Sequence, residues 1–191
     1  MQLILDSLTW DDMLTIREWR NREEVRATLR TPYMLTPEMQ EEFYRTIVCN
    51  RVARARYFAI RSEDRIRETE DRNQNPEIQE FKNSRIQRLV GYGGIENIQW
   101  ENGLGEISLL INPDLHRKGY GRAALLLIFN EGFHRMGLRN LWGEAYYSSQ
   151  SYLFWLQMVT ELNGFKTTMP ERKYWNSHYY DGLFFNFSHP M

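Results

Sequence analysis

From Leu104 to Gly137 the chain reads LGEISLLINPDLHRKGYGRAALLLIFNEGFHRMG, and this stretch limits the available folds more than any other. After Glu106, the residues Ile107, Ser108, Leu109, Leu110 and Ile111 read as a strand. Asn112 and Pro113 end it, because proline has no N–H to give a ladder. Gly119 and Gly121 bracket Tyr120, and a helical run begins at once, with Leu125, Ile128, Phe129, Phe133 and Met136 on one face and Gly137 as C-cap. Glycines let backbone amides approach a ligand closely, and the first amides of a helix are unpaired at the positive end of its dipole. Strand, glycine loop and helix together make an anion site suited to phosphate, with Arg117, Lys118 and Arg122 adding cations. An ordinary strand-to-helix turn also accounts for a glycine pair taken alone.

The order of these parts resembles the acetyl-CoA-binding segment of the GNAT N-acetyltransferase superfamily. That family's loop has the form Gln/Arg-x-x-Gly-x-Gly/Ala, and the six residues here are His116, Arg117, Lys118, Gly119, Tyr120 and Gly121. Both glycines match, and His116 stands where the family has Gln or Arg. The resemblance implies an α+β fold: a mixed, mostly antiparallel central sheet of about seven strands, helices on both faces, and a splayed central strand pair. It also implies acetyl-CoA as cofactor, with Leu109, Leu110 and Ile111 laying backbone groups against the pantetheine like an added strand, and a local bulge opening the pair. Glu18-Trp19-Arg20-Asn21 is similar to the branch holding ribosomal-protein N-terminal and nucleotide-linked amino-sugar acetyltransferases. A tryptophan anchoring the helix, with two solvated neighbours, explains that tripeptide as well.

Composition narrows the partners. A net charge of −1 over 191 residues gives no clear nucleic-acid surface. Cys49 is the single cysteine, so no internal disulfide forms, and a reducing, cytoplasmic setting is the simplest expectation. No N-terminal apolar run is long enough for a signal peptide or a membrane span. The histidines are scattered without metal-ligand spacing, so no metal is expected.

Around the central stretch, a single domain over residues 1–191 is expected. Gln2 to Leu5 reads as an edge strand; Thr9 caps a helix with Asp11 and Asp12 in its first turn; Thr36-Pro37 starts another with Met39, Phe43 and Ile47 on one face. Tyr57 to Ile60 and Leu89 to Ile95 read as antiparallel partners. Between them Arg61 to Arg88 is half charged, an insertion at about 62–87 that serves as a solvent loop, a flap or an oligomer contact. Leu141 to Tyr147 is the next strand, Ser151 to Leu162 a helix ended by Asn163-Gly164, and an aromatic-rich hairpin closes the chain. The Gly164-Phe165 pair also resembles the family.

Acetyl transfer to an amine needs a held diphosphate, a neutral amine, a stabilised oxyanion and a proton for the leaving thiolate. Glu106, entering the central strand, is the first candidate base, with solvation at the sheet end as the other reading. Glu144 is the second candidate, and it alternatively faces water; Asp181 and Glu96 rank below. The family's acid, a tyrosine, falls on Thr160 here; Tyr152 lies two turns earlier and is otherwise core packing. Tyr33, Tyr174, Trp175, Tyr179 and Tyr180 read either as an aromatic wall for a sugar or base, or as core or homodimer contacts. The expected function is acetyl-CoA-dependent N-acetyl transfer to a small-molecule primary amine, such as a nucleotide-linked amino sugar. The alternatives are acetylation of a protein N-terminus and an inactive acyl-CoA-binding module.

Overall fold

The computed structural model describes residues 2–64 and 86–189. The strands β1 (Leu3–Asp6), β2 (Arg56–Asp64), β3 (Ile86–Gln99), β4 (Leu104–Ile111), β5 (Asn140–Tyr146), β6 (Phe165–Trp175) and β7 (His178–Ser188) form one seven-stranded sheet in the order β1-β2-β3-β4-β5-β7-β6. All pairings are antiparallel except β4 with β5. Of the charged insertion, residues 62–64 and 86–87 continue β2 and β3; the rest, with its reading as a flap or an oligomer contact, lies outside the described residues.

Helices cover both faces. On the front lie α1 (Trp10–Asn21), α2 (Glu23–Arg26) and α3 (Pro37–Phe43). Thr9 caps α1 through a reciprocal capping box with Asp12, and Thr36 accepts a hydrogen bond from the Met39 amide ahead of Pro37. Met13, Ile16 and Trp19 bury against Ala59 and Tyr92. The back carries α4 (Tyr120–Phe129) and α5 (Ser151–Glu161), whose Leu125, Ile128, Trp155 and Met158 pack on Ile95, Ile107, Leu141 and Phe185. Gly137 and Asn163 stop the two runs in the left-handed region, at φ 69° and 52°.

The expected face on α3 is corrected. Phe43 packs on the Trp19 cluster, but Met39 is exposed and Gln40 is buried, and a π-helical turn, Tyr44–Val48, follows α3 and brings Tyr44 and Val48 to the same cluster.

The splayed pair has a visible cause. Strands β4 and β5 pair only at Leu104↔Asn140, Gly105↔Leu141 and Glu106↔Trp142, whereas β4 stays paired to β3 as far as Ile111. Along that second half of β4 the partner residues on β3 run from Gly91 to Gly94, and two of them, Gly91 and Gly93, lie close to β4 carbonyls. A Cβ at either would sit 2.6 Å from a β4 carbonyl oxygen, that of Leu110 or Ser108. These bare positions let β4 lean onto β3 and away from β5. The bulge lies on β3, between Glu96 and Gln99 with Asn97 at φ 50°, and not on β4 itself.

Gly93→Ala therefore loses about 2 kcal/mol or more of stability, since its methyl meets backbone and not a yielding side chain. Urea unfolding measures this, and a loss within about 0.5 kcal/mol would mean the β3–β4 approach is not tight.

Candidate active site

Beyond Glu106, β4 turns unpaired backbone toward the opening with β5, and Ser108, Leu109 and Leu110 are half-buried there. Five residues further on, about 17 Å of strand rise, the chain reaches the glycine loop. A 3₁₀ turn, Pro113–Leu115, follows Asn112, whose side chain accepts from the Asp114 amide at 3.0 Å, and the Asp114 carboxylate takes Arg22 at 2.7 Å. Arg117 at φ 61° and Gly119 at φ 84° alternate with their neighbours in the manner of an anion-binding nest. Gly119 is the N-cap of α4 and no side chain caps that helix, so its first amides are left to a ligand. Residues 116–119 are exposed, and the corner is open. Bare amides, an uncapped helix end and nearby cations fit the diphosphate of coenzyme A.

Three expectations about this loop change. His116, though exposed, has its Nε2 3.1 Å from the Ile111 carbonyl oxygen, and so ties the loop to the strand end. Arg122 is held by Glu161 at 2.6 Å, which spends much of its charge inside the protein. Gly121 is a packing position too: a Cβ there would lie 3.1 Å from the Phe154 ring. Arg117 and Lys118 remain exposed, touching Gln150 and the Asp114 carbonyl.

At the apex of the opening the front face gathers carboxylates. Glu96 and Glu106 are register partners, and Glu144 stands two residues beyond Trp142, the partner of Glu106 on β5. Glu106 is not solvated at the sheet end: its side chain is only 5 % exposed. Asn97 at the bulge donates to its Oε2 at 2.7 Å, and the Arg30 guanidinium donates to its Oε1. Glu144, likewise turned from water, takes Arg172 at 3.0 Å and the Tyr146 hydroxyl at 3.2 Å, with Arg30 at 3.8 Å. Glu96 accepts from Tyr57; burial pushes the Glu96 carboxyl up, the Tyr57 hydrogen bond pulls it back, and the charge of Glu106 adds to the rise. Burial also pushes the Tyr57 hydroxyl far up, helped by Glu96. Burial works against the Arg30 cation, but Glu106 and Tyr146 outweigh it and hold Arg30 charged.

Arg30 comes from the loop at 27–36, which crosses the front of the sheet between α2 and α3. Asn21 brackets Leu35 with hydrogen bonds to its N–H and C=O, at 2.7 and 2.9 Å. Ser148 donates to the Ala27 carbonyl at 3.1 Å. Lys173 on β6 is buried and donates to the carbonyls of Arg26 and Leu29. Its ammonium also lies over the rings of Tyr146 and Trp175, at 5.1 and 5.4 Å. Burial lowers the Lys173 pKa to about 8.

Other expected residues sit elsewhere. Tyr152, on the first turn of α5, packs on Tyr147 at 4.2 Å between ring centres, and its hydrogen bond with that phenol raises its pKa. Thr160 donates back to the Leu156 carbonyl at 2.8 Å. Asp181 accepts from the Glu171 amide and so holds the irregular part of the β6–β7 hairpin. Tyr33 is exposed on the 27–36 loop; Tyr179 packs at a tilt on Tyr174, with ring centres 5.0 Å apart, and Tyr180 lies near His178 by the hairpin end. Sequence reasoning missed Arg30, Asn97, Tyr146, Arg172 and Lys173, none of which lies in a local motif. Among the described residues, no group of three or more His, Cys, Asp or Glu could hold a metal ion, and no helix is long and apolar enough to cross a membrane.

A sheet opened between two parallel strands, with bare helix-start amides at one end and a buried carboxylate at the other, is an arrangement that suits an acyl-CoA-dependent transferase. The model for the acetyltransferase (GNAT) domain matches residues 2–148, so the chain belongs to the GNAT acetyltransferases, with acetyl-CoA as acyl donor. Among solved structures, spermidine N-acetyltransferase from Vibrio cholerae, in complex with CoA and spermine, superposes with a TM-score of 0.77 at 17 % identity, over 98 % of this chain and 96 % of that one. A chimera of the Vibrio cholerae enzyme SpeG with hSSAT gives a TM-score of 0.70 at 18 % identity, over 99 % and 96 % of the two chains. No curated protein matches by sequence.

Two variants test this geometry. Gly119→Ala puts a side chain at φ 84°, costing about 1 kcal/mol at the cradle, and weakens coenzyme A binding about five- to tenfold by calorimetry. Lys173→Met leaves the carbonyls of Arg26 and Leu29 without their donor and destabilises by about 1–3 kcal/mol in urea titrations; an unchanged midpoint would show that the clamp contributes nothing.

Proposed function

We propose that the chain transfers an acetyl group directly to the primary amine of a small molecule that is cationic at neutral pH, with Glu106 as general base. The observation that carries this reading is Glu106 itself, a buried carboxylate at the point where β4 and β5 part. Acetyl-CoA, when bound, supplies the activated acetyl carbon and carries the leaving sulfur. The loop residues 117–122 hold the diphosphate by backbone amides and by Arg117 and Lys118, and the unpaired groups of Leu109, Leu110 and Ile111 align the rest of the donor. Glu106 takes one proton from the incoming ammonium, whose ordinary pKa is near 10.4, and leaves a nucleophilic amine. Asn97 keeps the Glu106 carboxylate facing the opening. Tyr152 is the nearest counterpart of the family's acid in sequence, and its hydroxyl is already engaged by Tyr147, so we assign the returning proton to solvent.

The 27–36 loop, closed over the front face by Asn21 and Lys173, favours a small acceptor over a protein N-terminus, which needs an open groove. The carboxylates Glu96, Glu106 and Glu144 favour a cation. The structural relatives named for spermidine make a di- or polyamine the first class to try. A nucleotide-linked amino sugar is the second: Arg30 and Arg172, each with half its side chain exposed, match a diphosphate, although Tyr179 and Tyr180, near the hairpin end, do not join them as a wall for a sugar or base.

Glu106→Gln lowers kcat about a hundredfold on the best amine of a panel spanning diamines, polyamines, amino sugars and peptides, and leaves coenzyme A affinity within twofold. Unchanged turnover would move the base to Glu144 or to water.

A further inference from the structure

Glu106 and Glu144 already hold a cation. Arg30 reaches in from the 27–36 loop, donates to Glu106 and lies 3.8 Å from Glu144, against Tyr146. Its surroundings are asymmetric. The two carboxylates are 5 % and 7 % exposed, but the Arg30 side chain is 50 % exposed, so the guanidinium enters from the solvent side. Its backbone is fixed independently, because Lys173 holds the Leu29 carbonyl and Arg26 the Pro32 carbonyl, at 2.6 Å for the latter. The side chain can therefore leave the carboxylates without moving the loop. Asn97 occupies Oε2 of Glu106, so Oε1 is the oxygen left for an amine, and Arg30, the half-exposed partner, is on it.

We infer that Arg30 is a specificity-determining plug, an internal stand-in for the acceptor's ammonium that the acceptor displaces from Glu106. This rests on the amine-acetyltransferase reading above. The exchange replaces one cation by another, so the buried carboxylates are never left with their mutual repulsion unopposed. It selects for acceptors that arrive charged: an alkylammonium can take the place of the guanidinium, and a neutral aromatic amine cannot. It also makes Arg30 a competitor, because the apparent affinity for the acceptor falls by the fraction of molecules in which the place is free.

The test is steady-state kinetics and calorimetry on Arg30→Ala, with Arg30→Lys alongside. For an alkyl diamine near pH 8 the plug requires KM in Arg30→Ala to fall about tenfold, with Arg30→Lys close to wild type. It further requires the preference for the diamine over an aniline of similar size to shrink, since a vacated carboxylate pair no longer demands a charged replacement. Methylguanidine refills the vacated place: it inhibits Arg30→Ala competitively against the amine, at a concentration at least tenfold below that needed for wild type. A raised KM in Arg30→Ala, with no added sensitivity to methylguanidine, overturns the plug and makes Arg30 an ordinary binding residue. If wild type acetylates no amine, the functional reading fails instead. The plug is then judged by calorimetry alone, where methylguanidine binding at least tenfold tighter to Arg30→Ala than to wild type supports it and equal binding overturns it.

Discussion

The parting of β4 from β5 after three paired residues is the constraint on which the rest depends. A parallel pair normally continues until one strand runs out, because every unpaired amide in a sheet interior is a loss. Here β4 runs on to Ile111 and β5 to Tyr146 without meeting, and the deficit is left for a ligand to fill. The fold pays for the gap on its other side. Gly91 and Gly93 remove the methylene groups that would hold β3 off the carbonyls of Leu110 and Ser108, so β4 follows β3 and twists out of reach of β5. Gly93 also faces Ile128 of α4, whose methyl would be 3.1 Å from a Cβ there. The same bare strand thus admits the helix whose N-terminus forms the cradle.

Charge at the apex obeys a second constraint. Three glutamates on one patch of sheet would raise one another's pKa values and be protonated in part. The fold answers differently at each. Glu96 is sealed with Tyr57 and pushed up by burial, whereas Glu106 and Glu144 each receive a guanidinium. Only the latter two face half-exposed partners. The charge that can be exchanged with solvent is therefore located at Glu106 and Glu144, the carboxylates nearest the opening.

Local signals in the sequence carried the cofactor half. Thr9, Thr36-Pro37, Gly137 and Asn163-Gly164 marked helix ends where the structure has them, and the strand, loop and helix from Leu104 to Gly137 are in place because each is specified within a few residues. What sequence could not show depends on register and long-range partners. Glu106 and Glu144 were recognised as acids, but their burial follows from Arg30, 76 residues before Glu106, and from Arg172, 28 residues after Glu144. Asn97 is aimed by a bulge that no turn residue announces. The pairing of the loop cation Arg122 was hidden for the same reason, since Glu161 lies 39 residues beyond it. The π turn after α3 puts Val48 beside Tyr44 on the Trp19 cluster, a step that a 3.6-residue period does not foresee.

The two halves of the site consequently differ in how they are built. The proposed diphosphate cradle is one continuous segment, and the chemistry it offers is mostly backbone. The acceptor side is assembled from α1, the 27–36 loop, the β3 bulge, β4, β5 and β6, and its chemistry is all side chain. Lys173 joins these pieces, and the clamp tolerates titration: near pH 8 the ammonium becomes an amine, which still has two hydrogens for the carbonyls of Arg26 and Leu29. The base of the loop thus stays fixed across the pH range in which an alkylamine begins to lose its proton, while the head of Arg30 stays charged throughout. Under the plug we infer, exchange at Glu106 is then governed by the acceptor's own charge and shape, and not by loosening of the loop that delivers the arginine.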